Sequence, residues 1–300
     1  MIRALATDPN HIVIASFVGG FAGGGLFPIL LSMIGDVAKP KEQQEAISTL
    51  YLFSSVGMIL GPMICTFLLT IPTISLRNIY QIVVIAQALI LIYLSITMQE
   101  TKPKTITSVA VKYGTSIKNL ILQTNFQGLF IMAFLYFFSR SIITTYIPII
   151  AQSDLNLTNV EIASFTAYHS CAVLLIRISS ATFLTKVPIK RYLISALAIG
   201  GIINFAVIYA NNYISLILIM FLSGISYGAI AILGSTIVAR NSSSENRGIA
   251  NSLYNFAQST SPIVLLFTTP LIDIYGFTPI FLIGGIIGLT SIIPTFLQKT

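Results

Sequence analysis

Nine stretches of about 20 consecutive, mainly apolar residues constrain this chain more than any other feature. They run over 11–34, 47–70, 77–98, 126–150, 161–184, 192–210, 214–239, 249–271 and 276–297. A bilayer core about 30 Å thick is crossed by about 20 apolar residues in a helix, so each stretch is predicted to span a membrane. Each is continuously apolar rather than alternating, which argues for helices and against a barrel. Of the 300 residues only 8% are charged, too few to cover a soluble core of this size, and mean hydropathy is +0.89. A soluble enzyme, a nucleic-acid binder and a disordered chain are thereby excluded. Cys65 and Cys171 both lie in apolar stretches, so neither a disulfide framework nor a metal site is expected.

The connecting loops sort by charge. Alternate loops and the C-terminus hold twelve of the 16 basic residues, among them Lys39, Lys102, Lys186, Arg191, Arg240 and Lys299. The opposite side holds only Arg3 and Arg77, and Arg140 and Arg177 fall inside spans. This asymmetry places the C-terminus and the 99–125 loop in the cytoplasm of a multi-pass protein of the cell membrane, plasma or inner. With nine spans, Met1 then lies outside; the first residues carry no cleavable signal pattern.

The chain also repeats. An offset of 204 aligns Phe17, Gly20 and Gly24 with Phe221, Gly224 and Gly228; an offset of 203 aligns Glu42, Leu50, Tyr51 and Phe53 with Glu245, Leu253, Tyr254 and Phe256. Both copies run in the same direction with their loop on the same side, a parallel repeat. One period contains six spans, so the spans over 126–150, 161–184 and 192–210 lack partners before residue 11. The expectation is a 6+6 architecture from which about 80 residues carrying three helices are missing.

Three stretches resemble the major facilitator superfamily, from its fourth helix to its twelfth. Gly57-Met58-Ile59-Leu60-Gly61-Pro62 resembles the G-x-x-x-G-P motif of the family's fifth helix, associated with antiporters. Arg247-Gly248-Ile249-Ala250 resembles the opening of the eleventh helix, and Gly20 to Asp36 the glycine-rich fourth helix with its acidic cytoplasmic end. Ser16 stands where the family's fourth-helix arginine would be, and 184–191 keeps the bases of the eighth-to-ninth helix loop without its acid. The resemblance implies an all-α transmembrane bundle whose halves rock about a central site. Residues 1–98 would be the second half of the N-terminal bundle, 99–125 a cytoplasmic linker, and 126–300 the C-terminal six-helix bundle.

Candidate site residues follow from the expense of polar groups in lipid. A charge at the bilayer centre costs about 2.5–3.5 kcal/mol on insertion scales. Arg140 lies inside its span, on one face with Tyr136 and Thr144. It either meets an anionic or polar substrate group, pairs with a carboxylate from the missing helices, or snorkels outward. Arg177 lies nearer its span's cytoplasmic end, where anchoring by snorkelling is the simpler reading. His169 sits near mid-depth and either carries a proton or ligand, or is a hydrogen-bonded core histidine. Asn251, Tyr254, Asn255, Gln258 and Pro262 form a polar stripe, read as substrate contact or as interhelical hydrogen bonding.

Gly20 with Gly24, and Gly57 with Gly61, fit a small-x-x-x-small pattern for close, sliding helix contact, and Pro62 permits a bend. Asp36 and Arg247 are the candidate cytoplasmic gate residues, with a solvated loop acid as the alternative for Asp36. All nine carboxylates lie in loops or at span ends, so a proton-driven antiporter would need a carboxylate from the missing helices, or His169. Two histidines in different spans and no intramembrane acid speak against an embedded enzyme. The sequon at Asn156-Leu157-Thr158 sits in too short a loop to weigh. Together these readings predict a monomeric, cofactor-free transporter of a small-molecule substrate in the lipid bilayer. Efflux of an amphipathic solute, with protons as the candidate coupling ion, is set against import of a sugar or metabolite and against an inactive fragment.

Overall fold

A computed structural model describes residues 5–37, 43–98, 122–186, 188–241 and 247–297, and among them the regular elements are all helical. Helix is the expected outcome, since a continuous apolar run in lipid must satisfy every backbone group within its own segment. The chain divides into two compact units, Met1–Val109 and Ala110–Thr300.

The first unit contains α1 (Pro9–Val37), α2 (Gln43–Leu69) and α3 (Leu76–Thr97), with α2 packed against both others. Ser75 and Asn78 form a reciprocal capping box that starts α3. Arg77 donates from Nη2 to the Ala6 carbonyl at 2.8 Å and so ties α3 to the start of the unit. Pro62 lies inside α2.

The second unit contains α4 (Thr124–Ser153), α5 (Asn159–Lys186), α6 (Ile189–Val207), α7 (Tyr213–Asn241), α8 (Arg247–Thr260), α9 (Leu265–Tyr275) and α10 (Thr278–Thr290). Among the described residues of both units, six helices are long and apolar enough to cross a membrane, α3, α4, α5, α6 and α7 among them; the sixth runs from Thr278 to Phe296. The span expected over 249–271 is interrupted. A 3₁₀ turn at Ser261–Val264 separates α8 from α9, because Pro262 lacks the N–H that a continuous α-helix needs there. Thr158 and Glu161 cap α5 reciprocally: the Thr158 backbone N–H donates to the Glu161 carboxylate at 2.8 Å, and the Glu161 N–H donates to Thr158 Oγ1 at 3.3 Å.

Helix α4 is the hub of this unit, packing on each of α5 to α10. Two apolar clusters fill its core, one around Met132, Phe137, Leu197 and Leu233, the other around Ile142, Tyr146, Phe165 and Phe281. Glycines set the closest approaches. A Cβ at Gly224 would strike the His169 carbonyl, and one at Gly228 would lie 3.2 Å from the Val173 backbone, so α7 seats on α5 through a bare backbone stripe.

Candidate functional site

Arg140 sits at the junction of the two core clusters, half-buried on α4 between the buried Phe137 and Ser141. Its Nη2 lies 3.2 Å from Nε2 of His169 on α5, and its guanidinium carbon lies 4.1 Å from the centre of the Tyr227 ring on α7. A guanidinium has donors only, so His169 Nε2 must accept, and the ring proton must reside on Nδ1. The second contact agrees, because Nδ1 faces the Met220 carbonyl at 3.3 Å. His169 is therefore neutral in this arrangement, is 5% exposed, and stacks on Tyr227 with ring centres 5.8 Å apart.

No acid touches Arg140 among the described residues, and its Nε is buried without a hydrogen-bond partner. The charge is held by one hydrogen bond, worth about 1.5–3 kcal/mol to a charged group, and by a cation–π contact worth about 2 kcal/mol when desolvated. These are of the same order as the cost of inserting an arginine. Arg140 can thus remain charged without a carboxylate, and the cluster keeps one net positive charge.

Around this cluster the contacts are aromatic. Phe137 meets Tyr136, Tyr227 and Tyr254 edge to face at 5.2, 6.3 and 6.4 Å. Ser226 donates to the Ala196 carbonyl at 2.7 Å, so the Tyr136 hydroxyl must donate to Ser226 Oγ at 3.0 Å. Tyr136 is accordingly a buried strut between α4 and α7, and the bare Gly200 admits its ring.

The polar stripe on α8 divides. Tyr254 belongs to the buried face with Ala250, Ala257 and Ser261, whereas Asn255 is exposed and Asn251 and Gln258 are half-buried. Consecutive helical residues lie about 100° apart, so Tyr254 and Asn255 need not share surroundings. The Tyr254 hydroxyl donates to the Ile230 carbonyl at 3.4 Å. Asn251, Asn255 and Gln258 make no side-chain hydrogen bond among the described residues.

In the first unit, a Cβ at Gly20, Gly57 or Gly61 would meet nothing within 4 Å among the described residues. Gly24 lies within α1 with its surroundings undescribed, and the side chains of Asp36 and Arg247 lie outside what the structure describes.

Sequence reasoning missed Tyr227, Ser226 and the Asn204–Ser139 pair. Asn204 donates from Nδ2 to Ser139 Oγ at 2.9 Å and to the Gly200 carbonyl at 3.2 Å, fully buried, with Oδ1 unpartnered against Gly284. An amide in mid-span is the same signal that singles out Arg140, and it was there to be read.

Against this geometry, the sequence profile of the Major Facilitator Superfamily matches residues 1–122 and 129–299. The chain belongs to the major facilitator superfamily. Its fold is similar to a crystal structure titled as a bacterial homologue of iron transporter ferroportin in an outward-facing state, with a TM-score of 0.53 at 15% identity. That likeness covers 87% of this chain and 65% of the other, so the chain spans just under two thirds of that structure's length. No curated protein sequence matches the chain. This member of the superfamily is an all-α, multi-pass membrane protein whose second unit holds a positively charged cluster between three of its candidate spans.

Proposed function

We propose that the chain carries a small solute across the cell membrane by alternating access. One observation carries the reading: Arg140, His169 and Tyr227 form a charged, hydrogen-bonded cluster between helices long and apolar enough to span a bilayer. Residues 1–98 act as the second half of an N-terminal bundle, 99–125 as a cytoplasmic linker and 126–300 as the C-terminal bundle, with the C-terminus inside by the charge asymmetry of the loops. Arg140 meets the solute beside His169, the buried Tyr136 and Tyr254 brace that site from behind, and Asn251, Asn255 and Gln258 of α8 are the further contacts offered to the solute. Gly20, Gly24, Gly57, Gly61 and Pro62 serve as sliding or bending contacts, and Asp36 and Arg247 as the cytoplasmic gate. Membership of the superfamily favours transport by a monomer over enzymatic chemistry.

The G-x-x-x-G-P stretch at 57–62 favours efflux. Facilitated import is the second reading, favoured by the lack of any carboxylate at mid-span in the sequence to carry a coupling proton. The iron in the structural neighbour's title does not transfer readily. Among the described residues no group of three or more histidine, cysteine or acidic side chains could hold a metal, and the guanidinium beside His169 repels a cation.

Proteoliposomes holding the purified full chain test the proposal with radiolabelled glucose, lactate and benzoate and the dye fluorescein as probes. Saturable flux of at least one probe is expected, reduced at least about tenfold by Arg140→Ala, which removes both guanidinium contacts. Flux equal to that of empty liposomes for every probe would overturn the transporter reading. Wild-type flux in Arg140→Ala would remove Arg140 from the site, and wild-type flux in both Tyr254→Phe and Gln258→Ala would remove α8.

A further inference from the structure

We propose that the Arg140 cluster is a binding site for a monoanionic oxyanion, a carboxylate or an equivalent singly charged group on the transported solute. This rests on the transport reading above and names the substrate class of the same site. Four observations converge. The guanidinium has no acidic partner among the described residues, so none of them compensates its charge. Its Nε–H is buried and unpartnered, a donor that lacks an acceptor in the site as it stands. The Tyr227 ring covers one face of the guanidinium, which leaves the in-plane donors to meet a ligand, the geometry that planar oxyanions match. His169 is fixed in its Nδ1–H form by the Met220 carbonyl, so it offers Arg140 a neutral lone pair and does not cancel its charge.

His169 thus acts as a surrogate ligand. It occupies one Nη2–H while the site is empty, and an incoming oxyanion, a stronger acceptor, displaces it. One positive charge with no acid beside it fits one negative charge, because the loaded site is then neutral within the spans.

Among the described residues, the charged and titratable groups facing His169 are Arg140 from α4 and Tyr227 from α7, and Met220 offers its carbonyl. The acids described in this unit, Asp154, Glu161 and Asp273, lie at helix ends away from the cluster.

The chain contains no tryptophan, so Tyr227→Trp makes a single indole reporter that keeps the aromatic face over the guanidinium. The probes are cyclohexanecarboxylate, its uncharged isostere cyclohexanecarboxamide, and chloride, added to the full chain in detergent. A saturable change in indole emission is expected with the carboxylate and none with the amide. Arg140→Gln in the same background should abolish the response, and Arg140→Lys, which keeps the charge and loses the fork, should weaken it about tenfold. Thermal unfolding of the unsubstituted chain is the second measurement, independent of whether any variant folds: the carboxylate should raise the melting temperature and the amide should not.

Equal responses to carboxylate and amide, an undiminished response in Arg140→Gln, or no response to the carboxylate in either measurement would overturn the proposal. A response to chloride as large as that to the carboxylate would overturn the oxyanion assignment. Failure of the two readings can be told apart. Arg140-dependent carboxylate binding without flux in proteoliposomes supports the anion site and removes transport, whereas flux of glucose alone, untouched by Arg140→Gln, keeps transport and removes the anion site.

Discussion

At the scale of single residues, the balance at Arg140 is set by described neighbours that are neutral, His169 and Tyr227. A guanidinium held by an imidazole lone pair and an aromatic face keeps its full charge, and each holding contact is weaker than an ion pair. His169 then has a role whose sign can be measured. If it competes with the solute for Nη2, His169→Ala removes the competitor and leaves the charge in place. The apparent affinity of the Tyr227→Trp reporter for cyclohexanecarboxylate should rise about tenfold, the lower end of what a hydrogen bond to a charged group is worth. Titrations of the reporter with and without His169→Ala check this; an unchanged or weaker affinity would show that His169 supports the ligand instead of yielding to it. Tyr146 offers a contrast in which no charge is at stake. Its hydroxyl lies 2.6 Å from Thr268 Oγ1 and links α4 to α9. Tyr146→Phe should lower stability by about 1 kcal/mol, the net worth of one neutral hydrogen bond, and leave carboxylate affinity unchanged, as melting and titration would record.

At the scale of elements, the cluster exists because α7 comes close to α5. Gly224 faces the His169 carbonyl, and Gly228 faces the Val173 backbone. Gly224→Ala would place a methyl group against main chain that has no rotamer to yield, so the two helices must separate. Overpacking of this kind costs about 1–3 kcal/mol, and here it also lifts Tyr227 away from Arg140. The expected result is a lower melting temperature together with weaker carboxylate binding; stability and affinity both at wild-type values would show that the α5–α7 contact does not set the site. The helices themselves were legible in the sequence, since a run of apolar residues is a sufficient signal for a span. Which face of each helix meets which neighbour was not. A helix that is apolar all round has no stripe to fix its rotation, and the partners of Arg140 lie on two other helices brought to it by glycine contacts. The α8 stripe shows the limit from the other side: Tyr254 and its polar neighbours share a spacing, but Tyr254 packs with Ala250 and Ala257 while Asn255 stays exposed. The break at Pro262 departs from the single span expected over 249–271, although a proline inside a span is itself a signal for one.

At the scale of the whole molecule, family and fold class were legible because they rest on order: a glycine-rich span, a G-x-x-x-G-P span and an R-G-x-A span, correctly spaced along a chain with few charges. The candidate site was legible only in part: Arg140 and His169 as polar groups conspicuous in an apolar run, and Tyr136 by its four-residue step from Arg140, whereas Tyr227, a common residue type in a membrane span and on another helix, carries no such mark. The net charge of the site then bears on how the molecule cycles. With a monoanion bound, Arg140 is compensated and the spans hold no net charge at that level. Empty, they hold an uncompensated cation shielded only by neutral groups, the condition most costly to move through a low-dielectric interior. The loaded molecule should therefore reorient faster than the empty one, and exchange of anion for anion should outpace net uptake. Proteoliposomes preloaded with unlabelled cyclohexanecarboxylate should take up the labelled anion several-fold faster than empty ones. The difference should widen in Tyr227→Ala, because loss of the aromatic face leaves the cation of the empty form less shielded and slows its return. Equal uptake with and without preloading in the unsubstituted chain would mean that the empty site is compensated by a group supplied during the cycle, and the charge argument for exchange would fall.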